Sequence, residues 1–410
     1  MTWFSLKKRH PLTNRIFNVL LEKKFEGAYI NKIYQDKDTI YTNIHLPEHK
    51  ELSDLEKLLP NLQQEVGATA VKLGKVSGKY VEILFGMRKL EHVNFDTKLL
   101  HEDSLKVEFP SAYGKHILDF EDGASCHMLN GGVTRMGKTI FLLYLSTSIF
   151  LQNKGNVKLY ISSAKLKDYY PFEGIPQVKM AKDTEGMIEI LEEIIDEYKK
   201  RNLLLYSPTF RSATDAKSIR KNYPDHYHLF KPVFLFIDEY ARFAHVKVIQ
   251  DMVTEIVETA GFVNIHVIIA SQRPDASTVL KPRIRANLLS RMAFTTADKK
   301  NSEVILDREG AEKLGRIPGR GMLIDSDSHI VQVPYLDAEE CDRLLEEYRN
   351  EQSKEGSINN GDADEIQGVQ PESTSVDDLS REQQSDQCSK QGIETYDSEW
   401  LYHSDPERKG

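Results

Sequence analysis

The stretch Asn130 to Leu143 reads NGGVTRMGKTIFLL, a glycine-rich turn that ends in Gly-Lys-Thr and runs into apolar residues. Gly132, Gly137, Lys138 and Thr139 fit the pattern G-x-x-x-x-G-K-[ST]. In that pattern glycines let backbone N–H groups close around phosphate oxygens, the lysine meets the β and γ phosphates, and the hydroxyl reaches a magnesium ion. The candidate ATP-binding segment is thus Gly132, Val133, Thr134, Arg135, Met136, Gly137, Lys138, Thr139 and Ile140. One hundred residues after Lys138, the segment Pro232 to Glu239 (PVFLFIDE) ends in two acids. Asp238 is placed to hold Mg²⁺ together with Thr139, and Glu239 to orient the attacking water. A third polar group, Gln272, follows the apolar run Ile265 to Ala270. It is the candidate phosphate sensor, because neighbouring parallel strands end together at the ligand edge; a plain strand-ending turn at Pro274 is the alternative.

These residues do chemistry only if strands and helices bring them to one place. Ala124 to Leu129 reads as a short strand before the glycine loop, and Thr139 to Asn153 as the helix after it. A helix N-terminus then lies beneath the phosphates. The Asp-Glu segment is apolar throughout and too short for a helix, as a buried parallel strand requires. Further strands are expected at Val157 to Ser163, Ile265 to Ala270, Met292 to Thr296, Met322 to Asp325 and Ile330 to Val333. Helices are expected at Asp183 to Leu205, Val248 to Thr259 and Asp337 to Tyr348. This alternation predicts an α/β domain over residues 115–350, with a mostly parallel sheet covered on both faces. Before it, residues 28–114 read as a small α+β domain and linker, preceded by an extension over 1–27. Within it, Thr39 to Leu46 and Tyr80 to Phe85 are strands, and Ser53 with Glu56 forms a capping box that opens a helix running to Val66.

The net charge of −9 is concentrated at the C-terminus. Residues 351–410 carry 15 acidic and 5 basic side chains, leaving 48 and 49 in the first 350. The tail lacks apolar periodicity and is expected to be disordered, with Trp400, Leu401 and Tyr402 as a small apolar island. Three cysteines, Cys126, Cys341 and Cys388, have no metal-ligand spacing and argue for a reducing compartment. Cys126 reads as a small buried residue beside the glycine loop. No run of eighteen apolar residues and no signal-peptide layout is present, so a soluble protein is expected. Trp3 and Phe4 beside Lys7, Lys8 and Arg9 would suit an acidic membrane surface, with a frayed terminus as the plainer reading. Lys281 to Arg291 (KPRIRANLLSR) is locally basic, either a phosphate-contacting surface or a solvated face.

The segments GGVTRMGKT, FLFIDEYARF, NIHVIIASQRPD and RIRANLLSRMAFTTADKKNSEVILDREGAEKLGRIPGRGMLI resemble the FtsK/SpoIIIE motor domain and its relatives from conjugative elements, plasmids and phages. The resemblance covers roughly Lys115 to Asp325. It implies a RecA-like P-loop NTPase that uses ATP and Mg²⁺ and assembles as a hexameric ring around DNA, with double-stranded DNA favoured over single-stranded. Gln272 takes the place of the phosphate sensor, Arg285 and Lys299 those of DNA-contacting residues, and Lys165 that of a basic residue after the second strand. Departures accompany it. Gly261 stands near the position of an arginine that reaches into the neighbouring subunit, with Arg273 or Arg291 as substitutes, and Glu303 stands where a basic residue is usual. The family's membrane-spanning helices and winged-helix module have no counterpart here. A cytoplasmic protein recruited to the membrane or to transfer machinery by a partner is therefore expected.

The expected activity is an ATP-dependent DNA translocase acting in transfer or segregation of a plasmid or mobile element. Chromosome segregation and packaging are close alternatives. A nucleotide-switched ring that does not pump DNA is the reading from a different class.

Overall fold

The computed structural model describes residues 10–123, 125–271 and 280–359, the last nine of these by backbone alone. The N-terminal part is an α+β domain built from α1 (Leu12–Glu22), β1 (Tyr29–Asp36), β2 (Thr39–His45), α2 (Leu52–Val66), β3 (Ala70–Ser77) and β4 (Tyr80–Gly86). Its four-stranded antiparallel sheet has the order β1-β2-β4-β3. Alternation assigns the two faces: Ile40, Ile44, Val81, Ile83 and Phe85 point inward, against Ile16 and Leu20 of α1 and Leu55, Leu58 and Leu62 of α2. The stretch expected as an N-terminal extension thus contributes α1 to this core. The helix cap also differs from expectation. The N-cap is Glu51, whose N–H donates to the Asp54 carboxylate at 3.2 Å, so the box lies two residues before the expected Ser53 and Glu56.

The second domain is built on a sheet of ten strands among the described residues, in the order β6-β5-β14-β13-β12-β7-β11-β10-β8-β9. Its parallel half consists of β7 (His127–Gly131), β8 (Lys158–Ser163), β9 (Val178–Ala181), β10 (Val233–Asp238), β11 (Ile265–Ser271) and β12 (Ser290–Phe294). The antiparallel extension is β5 (Lys106–Ser111), β6 (Gly114–Asp119), β13 (Arg320–Ile324) and β14 (Ser328–Gln332). β5 belongs to this sheet, so the second domain starts inside the stretch expected as a linker. Helices α3 (Lys138–Gln152), α4 (Thr184–Leu205), α5 (Ala216–Asn222), α6 (Lys247–Thr259), α7 (Pro282–Asn287), α8 (Lys299–Leu306) and α9 (Ala338–Asn359) complete the domain.

The sheet has a core on each face, which explains why its central strands are apolar without alternation. Val233, Leu235 and Ile237 of β10 join α4, α6 and α8 on one side. Phe234 and Phe236 join α3 and α9 on the other. α3 itself is apolar around most of its circumference because β5, the central strands and α9 enclose it. The glycine loop is therefore anchored at both ends in the best-packed part of the molecule.

Candidate nucleotide site

Register aligns the ends of the parallel strands: Asp238 of β10 sits beside Ser163 of β8 and Ala270 of β11, and Ala270 sits beside Asn130 of β7. The chain after each of these strands consequently emerges at one edge. There the turn from β7 to α3 needs its glycines. Gly132 has φ +140°, and a Cβ on it would lie 2.8 Å from Phe294 Cβ. Gly137, the N-cap of α3, has φ +116°, and its Cβ would lie 3.2 Å from the Gly319 nitrogen. Arg135 also takes a positive φ, 65°. Two backbone bonds hold the loop: Val133 N–H to Thr295 O at 3.0 Å, and Gly319 N–H to Met136 O at 2.9 Å.

Lys138 is buried and curls into the loop, where its Nζ donates to Gly132 O (2.8 Å) and Val133 O (3.1 Å). Burial pushes its pKa down, and Glu239 and Asp238 oppose that shift. Asp238 Oδ2 accepts from Tyr169 Oη at 3.2 Å and from Ser163 Oγ at 3.4 Å. Burial pushes the Asp238 pKa up, the two hydroxyl bonds pull against it, and the neighbouring Glu239 raises it further. Glu239 follows the strand with φ +78°, a left-handed conformation that costs a side-chain-bearing residue on the order of 1 kcal/mol or more. Its N–H donates to Ala270 O at 3.1 Å and its Oε1 accepts from Ser271 Oγ at 3.3 Å. These bonds aim the carboxylate away from the direction in which the strand would have carried it.

One cavity of about 650 Å³ is lined by Thr134, Arg135, Gly137, Lys138, Thr139 and Ile140 of the loop, by Ser163 to Lys165, and by Asp238, Glu239 and Arg242. Of the expected residues, Thr134, Arg135, Gly137, Lys138, Thr139, Ile140, Asp238 and Glu239 line this one cavity together with Lys165, whereas Gly132, Val133 and Met136 do not. The opposite wall was not legible in the sequence. It consists of His92, Pro318, Gly319, Gln332, Val333 and Tyr335. Backbone bonds Tyr335 N–H to Val93 O (2.7 Å) and Phe95 N–H to Tyr335 O (2.9 Å) bring His92 within 5.4 Å of the Tyr335 ring. Tyr169 gave no sequence signal either, since it lies on an irregular 3₁₀ turn after β8.

Gln272 and Arg273 lie outside the described residues, as do Trp3, Phe4 and the tail beyond Asn359. Arg285 and Lys299 do not line the nucleotide cavity. Arg285 bonds Glu303 O at 3.0 Å and pairs with Asp307, and Lys299 sits 3.5 Å from Glu309 and 3.8 Å from Glu303. Arg291 is buried, bonds the carbonyls of Leu288, Ile305 and Arg285, and pairs with Asp307. This corrects its expected role as an arginine reaching into a neighbouring subunit, because its donors are spent inside its own domain. Cys126 is half-buried at the start of β7, the end remote from the loop, and not beside it as expected.

A parallel-rich α/β sheet carrying a glycine loop and an acid pair at one strand edge defines a RecA-like P-loop ATPase fold. Residues 96–329, more than half of the chain, match the FtsK/SpoIIIE family, and the chain belongs to that family. It is 30% identical over 238 residues to the DNA translocase FtsK of Leptospira interrogans serogroup Icterohaemorrhagiae serovar copenhageni, covering 54% of this chain and 24% of that one. It is 30% identical over 254 residues to the DNA translocase FtsK of Borreliella burgdorferi, covering 58% and 32%. The chain therefore spans only about a quarter to a third of the length of these relatives. Among solved structures, the pCW3 conjugation coupling protein TcpA, in its monomer form with ATPgS, matches with a TM-score of 0.57 and 18% identity. That match covers 82% of this chain and 99% of TcpA. EssC (ATPases 2 and 3) from Geobacillus thermodenitrificans matches with a TM-score of 0.56 and 11% identity, over 65% and 53%. At these identities the two structures establish the fold alone.

Proposed function

We propose that this protein is an ATP-dependent DNA translocase motor whose subunits form a hexameric ring around double-stranded DNA. The observation that carries the proposal is the convergence of Lys138, Thr139, Asp238 and Glu239 on one cavity at the strand edge. Family membership supports DNA as the track.

In this reading the loop amides and Lys138 bind the β and γ phosphates of ATP. Lys138 exchanges two carbonyl partners for phosphate oxygens. The donor set for a cation is all oxygen, from the Thr139 hydroxyl and an Asp238 carboxylate held by Tyr169 and Ser163, which fits Mg²⁺. Held there by Thr139 and Asp238, such an ion would offset the charge of the phosphates. Glu239 orients water for in-line attack on the γ phosphate, and Gln272 is proposed to report the state of that phosphate to the DNA-contacting part of the ring. Catalysis is then positioning and charge stabilisation, with no covalent intermediate on the protein.

Within this class we favour transfer or segregation of a plasmid or mobile element over a chromosomal role. The resemblance of its motifs to relatives from conjugative elements and plasmids supports this preference, and the fold of a conjugation coupling protein matches over 82% of this chain. A cytoplasmic location with recruitment by a membrane or transfer-machinery partner belongs to the same proposal. Among the described residues no helix is long and apolar enough to cross a membrane.

The second reading, a nucleotide-switched ring without DNA pumping, draws on the ion pairs that engage Arg285 and Lys299. Steady-state ATP hydrolysis with long double-stranded or single-stranded DNA separates the two. Strong stimulation is expected for a motor, with the better DNA naming its track. Turnover indifferent to both DNAs favours the switch.

A further inference from the structure

On the antiparallel extension of the large sheet, three side chains from separate segments meet outside the nucleotide site. They are His116 of β6, Asp325 just after β13, and His329 of β14. His116 Nε2 lies 2.9 Å from Asp325 Oδ2, and both side chains are about nine-tenths buried, 11% and 10% exposed. The rings of His116 and His329 stack with centroids 4.0 Å apart. One nitrogen from each ring and one Asp325 oxygen all lie within 4.8 Å of one another.

A simple His–Asp ion pair does not explain this cluster. It leaves His329 Nδ1 buried without a hydrogen-bond partner, and it stacks a second imidazole on the first for no polar gain. A buried ring nitrogen left without a partner is destabilising unless something binds it.

We propose that His116, Asp325 and His329 form a binding site for one divalent transition cation of the Zn²⁺ class. Two imidazoles and one carboxylate select zinc, cobalt or nickel over magnesium or calcium, which prefer all-oxygen shells. Metal–nitrogen bonds of roughly 2.0–2.1 Å bring tetrahedral ligands closer together than the 4.8 Å limit seen here. That closure requires at least one imidazole to rotate out of the stack, so that both in-plane lone pairs face the same ion. The bond from Asp327 N–H to Asp325 Oδ1 (3.1 Å) survives it and fixes the carboxylate from behind. Lys72, a nearby cation, is neutralised by its own pair with Asp327.

The site has a structural consequence. Asp325 and Asp327 share the turn between β13 and β14, and Lys72 belongs to β3 of the small domain. A bound ion staples β6 to the turn that receives the small domain.

The test uses the full chain, EDTA-treated and free of nucleotide. Zn²⁺ uptake is titrated against a chromophoric chelator, and the Co²⁺-loaded protein is examined by X-ray absorption. The expected result is one tight equivalent with nitrogen and oxygen ligation including two imidazoles, and a Tm that rises with Zn²⁺. The equivalent is retained in Asp238→Asn, which removes the proposed Mg²⁺ carboxylate. It weakens at least tenfold in His116→Gln and in His329→Gln. Absence of a tight equivalent, a sulfur-dominated spectrum from the cysteines, or unchanged uptake in both glutamine variants overturns the proposal. The spectrum of the unmutated protein decides even where a variant fails to fold.

Discussion

Lys138 donates to two loop carbonyls, and a phosphate that enters the cavity replaces them with charge-assisted bonds worth about 1.5–3 kcal/mol each. Lys138→Ala should therefore weaken ATP binding by roughly a hundredfold or more, measured by titration with a fluorescent ATP analogue. Wild-type affinity in that variant would remove Lys138 from the site. Glu239→Gln should leave binding intact and stall turnover, and robust hydrolysis in a clean preparation contradicts the role given to Glu239. Tyr169 offers a subtler check. Its hydroxyl bond is one of the groups that keep Asp238 from rising further, so Tyr169→Phe should raise the Mg²⁺ concentration needed for half-maximal turnover, by about tenfold. The acidic limb of the pH–rate profile should move to higher pH. An unchanged Mg²⁺ dependence would reduce Tyr169 to packing. Lys138, Thr139, Asp238 and Glu239 were legible because motif and strand pattern place them. Tyr169, His92 and Tyr335 were not, because an irregular turn and a long-range backbone pairing bring them in, and neither leaves a periodic trace.

At the scale of elements, the glycine loop works because its neighbours leave room for nothing else. A methyl group on Gly132 would meet Phe294 Cβ at 2.8 Å in a backbone conformation that L-residues avoid. Gly132→Ala should cost roughly 2 kcal/mol of stability and most of the nucleotide affinity, read from urea unfolding and from ATP titration. A stable, fully binding variant would mean that the loop tolerates another path. The central strands β10 and β11 could be read from sequence because both are buried on two faces and apolar almost throughout, whereas β7, His-Met-Leu-Asn-Gly, was expected two to three residues too early. β9 has four residues, too short to show a pattern. β5 and β6 form a hairpin interrupted by Pro110 and by exposed Lys106, Lys115 and Ile117, so β5 fell within the expected linker and β6 was not read as a strand. The capping box was displaced because two acids, Glu51 and Asp54, outcompeted Ser53 and Glu56 for the same helix start.

At the scale of the whole molecule, a buried histidine sets acid sensitivity. His127 Nδ1 accepts the Val267 N–H at 3.1 Å, which requires a neutral ring, and burial followed by the nearby His266 pushes its pKa down to about 3. The unfolded chain binds a proton here near pH 6.5 while the folded protein does not, so this contribution is full above that value and is lost as pH falls below it. At pH 5 the loss from this group is about 2 kcal/mol. Denaturant midpoints should therefore fall between pH 7 and pH 5, and His127→Leu should make that slope shallower, leaving the share of buried His266, whose pKa burial depresses to about 4. An equally steep slope in the variant would assign the effect elsewhere. The proposed ring and DNA track and the tail of residues 351–410 belong to the same scale, and only composition and family motifs speak to them. The most direct test of the central claim is displacement of a third strand from a long DNA duplex by the purified protein with ATP and Mg²⁺. The account predicts ATP-dependent displacement that is lost in Lys138→Ala and Glu239→Gln. ATP turnover that proceeds on the same duplex without any displacement would contradict it.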